Sequence, residues 1–74
     1  METKWGIGTL IIAESNRCKA VAMIVNKTIT DSGDSFYIHT NRFYFDGKVE
    51  HDFFWAKPHQ LIAWEKNDGY KFYQ

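Results

Sequence analysis

The feature that most constrains the fold is an aromatic-rich stretch from residue 35 to residue 55, SFYIHTNRFYFDGKVEHDFFW. It holds eight of the thirteen aromatic residues in the sequence. Near its centre lies Asp46-Gly47, and the flanking residues are typical of two antiparallel strands joined by a tight turn. We therefore predict a β-hairpin that supplies much of the hydrophobic core.

The register of this hairpin follows from its loop. A three-residue loop, Phe45-Asp46-Gly47, makes Phe43 oppose Val49 and Arg42 oppose Glu50, whereas a two-residue loop would mix apolar and charged residues on each face. One face then collects Tyr37, His39, Asn41, Phe43, Val49, His51, Phe53 and Trp55, and we predict that it turns inward. The opposite face is expected to meet solvent with Arg42, Tyr44, Lys48, Glu50, Asp52 and Phe54.

Strands are also predicted over residues 4–13 and 19–30, which are rich in apolar and β-branched residues. A polar turn between them would pair Ile12 with Val21 and Glu14 with Lys19. An alternative is an α+β fold with a helix near residues 14–27, where some apolar residues recur at helical spacing. The strand is preferred because Val and Ile favour extended backbone.

A third hairpin is predicted near the end of the sequence. Residues 60–66 are expected to form a strand that turns at Asn67-Asp68-Gly69. In that hairpin Glu65 would pair with Lys71, and Trp64 with Phe72. All the predicted elements are thus strands.

Three consecutive hairpins predict an all-β fold, an antiparallel meander of five to six strands curled into a small barrel or roll, because closure hides strand edges. The size and hairpin order resemble the SH3-like small barrels. The ligand-binding signature of SH3 domains is missing, so the resemblance concerns architecture alone. A length of 74 residues predicts one domain over residues 1–74.

Charge and cysteine content restrict the compartment and the function class. Nine basic and nine acidic residues give a formal net charge of zero. The lone Cys18 cannot form an intrachain disulfide, which favours a reducing compartment. No apolar run approaches the roughly 20 residues that span a bilayer. We predict a cytoplasmic protein, in the host cytoplasm if it is phage-encoded, that does not associate with membranes.

Metal binding and catalysis are not predicted. His39, His51 and His59, with Asp52, are the candidate ligands, but a zinc site needs three or four ligands at recognisable spacing. The histidines are interpreted as structural, and no cofactor is expected. Cys18 has no neighbouring base, and the sequence has no glycine-rich phosphate loop, so we predict no enzymatic activity.

Nucleic-acid binding is the alternative function. A small β-barrel could stack single-stranded bases on its exposed aromatic rings. Phosphate binding, however, needs basic side chains, and residues 31–56 carry five acidic residues against two basic ones. The charge balance therefore makes this alternative the weaker one.

Protein binding fits the residue balance best, because Tyr, Phe, Trp and Arg are favoured at interfaces. The predicted partner-binding residues lie on the outer face and tip of the hairpin: Arg42, Tyr44, Phe45, Asp46, Lys48, Glu50, Asp52 and Phe54. Their acidic surround favours a partner with a basic surface. A chain this short without a catalytic motif resembles, in size, the small accessory and inhibitor proteins of phages and mobile elements. We therefore predict a module that modulates or blocks another protein, with a structural homodimer, paired through the strand edge at residues 70–73, as a second alternative.

Overall fold

Five antiparallel strands form one open sheet, and a helix packs across one of its faces, in a computed structural model that describes residues 5–74. The sheet order is β4-β3-β2-β1-β5. The elements in chain order are β1 (Leu10–Glu14), β2 (Cys18–Thr30), β3 (Gly33–Tyr44), β4 (Val49–Ala56), α1 (Pro58–Lys66) and β5 (Lys71–Tyr73). The fold is mostly β, as predicted. Over the described residues, no helix is both long enough and apolar enough to cross a bilayer.

The first two predicted hairpins are confirmed. Ile12 pairs with Val21 and Glu14 with Lys19 between β1 and β2. The alternative of a helix near residues 14–27 is wrong, because β2 pairs with both β1 and β3 and its backbone hydrogen bonds run to those neighbours. Strand β1 begins later than predicted. A turn closed by Thr9 N–H donating to the Gly6 carbonyl (3.1 Å) precedes it, and Lys4 lies outside the described residues.

The predicted strand at residues 60–66 is wrong, because those residues lie in helix α1. Pro58 occupies the first turn, where its missing N–H costs nothing. The backbone N–H of Lys57 donates to Oε1 of Gln60 at 2.8 Å, which ties the start of the helix together. Leu61, on the side of the helix that packs on the sheet, is fully buried. The predicted third hairpin therefore does not form, and Phe72 of β5 pairs instead with Ile11 of β1.

The helix also explains why the predicted SH3-like barrel is not confirmed. The outer strands of the sheet are β4 and β5, separated by three strands, so the sheet stays open over residues 5–74. A helix hides an apolar sheet face as effectively as closure into a barrel does. Here α1 performs that role on one face only.

The register of the aromatic hairpin is confirmed, but its two faces are the reverse of the prediction. Phe43 pairs with Val49, and Arg42 with Glu50. Phe36 is fully buried, whereas Phe53 and Trp55 are 53% and 48% exposed. The reason is α1, which covers the face that was expected to meet solvent. The buried core consists of Trp5, Ile11, Ala22, Ile24, Phe36, Ile38, Ala56 and Leu61.

Candidate functional site

The sheet face opposite α1 carries a continuous set of apolar and aromatic side chains that no described element covers. We call it the open face. Cross-strand pairing places His39 between Met23 and Phe53, and Asn41 between Val21 and His51. Its members, from all five strands, are Leu10, Ile12, Val21, Met23, Tyr37, His39, Asn41, Phe43, Val49, His51, Phe53, Trp55 and Tyr73.

Aromatic rings on β3 and β4 form a stacked row along this face. The Tyr37 ring lies 4.8 Å from that of Trp55 and 5.7 Å from that of Phe53, centre to centre. The His39 ring stacks on Phe53 at 4.3 Å with an interplanar angle of 5°. Offset and stacked pairs of this kind contribute about 0.5–1.5 kcal/mol each beyond area burial. Contacts within the protein therefore hold these rings in place, although their outer surfaces face solvent.

The histidines of the open face are held by their neighbours. The rings of His39 and His51 lie 6.1 Å apart, and Nδ1 of His51 donates to Oδ1 of Asn41. His59 lies in α1, the helix on the opposite side of the sheet. Within residues 5–74, no group of three or more His, Cys, Asp or Glu side chains could hold a metal ion. The histidine pair is thus part of an aromatic surface.

The centre of the open face carries no charge. Lys19 and Glu14 oppose each other at one end of the sheet, with Nζ and Oε1 3.8 Å apart. Lys71 lies on the short outer strand β5. On the side of the other outer strand, residues 46–56 hold Asp46, Glu50 and Asp52 against one lysine. The face is therefore apolar in its middle. Glu50 and Asp52 belong to the outer strand β4 but lie on the helix side of the sheet, opposite Arg42 and Thr40.

The predicted partner-binding residues divide into two groups. Five of them, Tyr44, Phe45, Asp46, Lys48 and Glu50, gather at the β3–β4 turn around an open depression of about 460 Å³, together with Asn16 and Arg17. The N–H of Phe45 donates to the Arg17 carbonyl at 3.1 Å, which holds the β1–β2 and β3–β4 turns together. Phe45 is 72% exposed. Arg17 was missed because its proximity depends on the tertiary pairing of two turns.

The remaining three, Arg42, Asp52 and Phe54, lie on the helix side of the sheet. Phe54 is half-buried and contacts Trp64 edge-on at 5.9 Å, so its predicted solvent position is wrong. Asp52 is exposed and opposes Thr40. Arg42 is half-buried beside an adjacent cleft. The two groups adjoin, because Arg42 is the cross-strand partner of Glu50.

The side chain of Tyr44 interacts with Glu50 at the base of the turn. Hydrogen bonding to Glu50 raises the pKa of the Tyr44 hydroxyl above its ordinary value of 10.0, and slight desolvation and the negative charge of Glu50 act in the same direction. A neutral phenol is therefore retained at higher pH than usual. Cys18, which opposes Tyr44 on β2, is a free, half-buried thiol 4.0 Å from the Ser15 hydroxyl.

Comparison of the sequence with protein-family models, with curated proteins and with solved structures gave no match. The site must therefore be interpreted from its own geometry. The open face is its most distinctive surface, since six of its large apolar residues are 40–53% exposed: Met23, Phe43, Val49, Phe53, Trp55 and Tyr73.

Proposed function

We propose that the protein is a non-catalytic protein-binding module whose contact surface is the open face. The observation that carries the proposal is the exposure of about half of the Phe53 and Trp55 side chains in an ordered aromatic row. Monomeric proteins rarely expose contiguous apolar patches of more than a few hundred Å², and larger ones mark interaction sites. With strands about 4.8 Å apart and 3.3 Å per residue, the flat area of the open face is on the order of 400–500 Å². That is the size of the largest apolar patch on a typical monomer, roughly 300–600 Å², which is often a functional surface.

The partner that fits is a protein with a flat apolar surface bordered by basic side chains. An aromatic centre without charge matches the composition of interface cores. Glu50 and Asp52 lie on the helix side of the outer strand β4, and their charge would steer a basic partner towards that edge of the sheet. In keeping with the sequence, we propose that binding modulates or blocks the partner, as a small accessory protein of a phage or mobile element would do in the host cytoplasm.

Single-stranded nucleic acid is less well supported as the ligand. Stacking platforms for bases work with a basic groove that follows the phosphates. On the open face the basic residues Lys19 and Lys71 lie at the margins, and Lys19 is 3.8 Å from Glu14. A second copy of the chain is also less well supported, because the acidic residues of β4 would repel each other if two copies paired through this outer strand.

The test compares two exposed aromatic sites. We expect Phe53→Ala/Trp55→Ala to weaken partner binding at least 30-fold, because buried aromatic anchors contribute 2 kcal/mol or more at interfaces. Phe45→Ala at the hairpin tip removes a still more exposed ring outside the open face and serves as the control. A partner captured from extract would be purified and titrated against all three proteins by calorimetry, with circular dichroism to check folding.

Several results would contradict the proposal. If Phe45→Ala lost binding and Phe53→Ala/Trp55→Ala retained it, the contact surface would be the hairpin tip that the sequence predicts. A wild-type dimer in light scattering that becomes monomeric in the open-face variant would assign the face to self-association. Salt-sensitive retention on single-stranded DNA, lost in the open-face variant, would assign it to nucleic acid. The steering role of the acidic residues on β4 is tested by Glu50→Lys/Asp52→Lys, which we expect to slow association with the partner.

A further inference from the structure

A small cleft on the helix side of the sheet has the features of a ligand site distinct from the open face. It has a volume of about 260 Å³ and is lined in part by Trp64, near the end of α1. Its floor consists of alanines at positions 13, 20 and 22 on β1 and β2. Ala13 and Ala20 are direct cross-strand partners. Elsewhere this face carries Ile24, Ile38 and Phe36, so the short alanine side chains leave the space open.

Aromatic side chains form one wall of the cleft and hold each other in place. The Trp64 ring meets that of Phe54 edge-on at 5.9 Å and lies 5.8 Å from that of Tyr70. The N–H of Tyr70 donates to the Trp64 carbonyl at 2.9 Å, which fixes the chain after the helix. Because the wall is built from contacts within the protein, the cleft is formed without a ligand.

The cleft is also lined by a cation that makes no ion pair with a described carboxylate. Arg42 is half-buried, and within residues 5–74 no carboxylate lies within 4.0 Å of its guanidinium. Glu50 is its cross-strand neighbour but interacts with the Tyr44 hydroxyl. Thr40, next to Arg42 on the floor side, supplies a hydroxyl to the lining. A guanidinium presents planar donors that match a carboxylate in a bidentate geometry.

We propose that this cleft binds a small organic carboxylate carrying one aromatic ring. The ring would lie on the alanine floor against Trp64 and Tyr70, and the carboxylate would accept hydrogen bonds from Arg42. The volume lies just below the range of about 300–1,000 Å³ that is typical of pockets for drug-sized ligands, so a single-ring molecule fits the space. The charge of Arg42 favours an anionic ligand over a neutral one.

The probe is 3-phenylpropionate, titrated into the isotopically labelled protein and followed by NMR. We expect the amide signals of Ala13, Ala20 and Ala22 and the indole signal of Trp64 to shift with saturation. The uncharged analogue 3-phenylpropionamide has the same ring and chain and is expected to bind at least tenfold more weakly. Equal binding of the two compounds would contradict a role for the guanidinium, and an absence of shifts at the cleft would overturn the proposal.

Two variants and one control separate the cleft from general charge effects. Arg42→Gln is expected to weaken binding of the carboxylate at least tenfold and to leave the amide analogue unaffected. Ala20→Leu fills the floor and should abolish binding of both compounds. Arg17→Gln removes the same charge at the hairpin end, outside the cleft, and should bind like the wild type. If Arg17→Gln weakened binding as much as Arg42→Gln, the effect would be one of net charge and the proposed contact would be wrong.

Discussion

The residue with the most specific electrostatic environment is Tyr44, at the last position of β3 before the turn. Its neighbours Glu50 and Arg42 act on its ionisation in opposite directions, and the hydrogen bond to Glu50 dominates, so that its pKa is raised. Because the pKa in the folded state lies above that of the unfolded chain, the interaction stabilises the fold fully below about pH 10. Its contribution is lost as the pH rises through the folded-state value.

We expect Glu50→Gln to lower the pKa of Tyr44 towards 10.0, since the substitution removes the carboxylate that raises it. The phenolate absorbance of the folded protein, followed in an alkaline titration, measures the change. The same titration of Tyr44→Phe identifies the part of the absorbance change that comes from Tyr44. A titration curve unchanged by Glu50→Gln would show that the carboxylate does not act on Tyr44. High salt should shrink the difference, because both groups are reached by solvent.

At the scale of elements, the sequence predicts the first two hairpins correctly and the helix incorrectly, although both kinds of element have local signals. Turn residues and cross-strand charge pairs act locally, so they indicate the β1–β2 and β3–β4 pairings from sequence alone. Residues 58–66 carry equally local signals for a helix, with Pro58 at the first turn and Gln60 placed to reach back to the Lys57 amide. A nine-residue helix is marginal by itself, and packing of Leu61 and Trp64 on the sheet stabilises it.

Helix α1 offers two adjacent aliphatic residues that differ in burial. Leu61 is fully buried, and Ile62 is 42% exposed. We expect Leu61→Ala to lower the free energy of unfolding by about 2–5 kcal/mol, because it leaves a cavity between helix and sheet. Ile62→Ala should cost less than about 1 kcal/mol, since the lost burial is partial and alanine favours the helix. Urea denaturation measures both; equal losses would contradict the packing of α1 through Leu61.

At the scale of the whole molecule, the sequence prediction lacks helix α1, and this limits what it can say about the site. The register of the aromatic hairpin was correct, and the exposure of Phe45 followed from its place in the loop. Which face turns inward, however, cannot be read from a hairpin that is apolar on one face and carries Phe36, Ile38 and Phe54 on the other. The choice depends on the element that covers the sheet. With residues 60–66 predicted as a strand, no element covers either face, and the pattern indicates the face with more aromatic residues as the core.

The two faces can be distinguished by removing one phenylalanine from each. Phe36 is fully buried under α1, and Phe53 is 53% exposed between Tyr37 and His39. We expect Phe36→Ala to lower the free energy of unfolding by about 3–5 kcal/mol, much of the roughly 4–11 kcal/mol expected for a domain of this size. Phe53→Ala should cost about 1–2 kcal/mol, from lost ring stacking and partial burial.

Because Phe36→Ala could unfold the protein, Phe36→Leu provides a milder substitution in the same position, and Phe53→Leu is its matched control. Denaturation at two protein concentrations keeps self-association out of the comparison, since only a dimer gains stability with concentration. If replacing Phe53 lowered the free energy of unfolding as much as replacing Phe36, the open face would be buried in solution. The larger loss at Phe36 instead leaves the aromatic row free for a partner, which is the condition on which the proposed function depends.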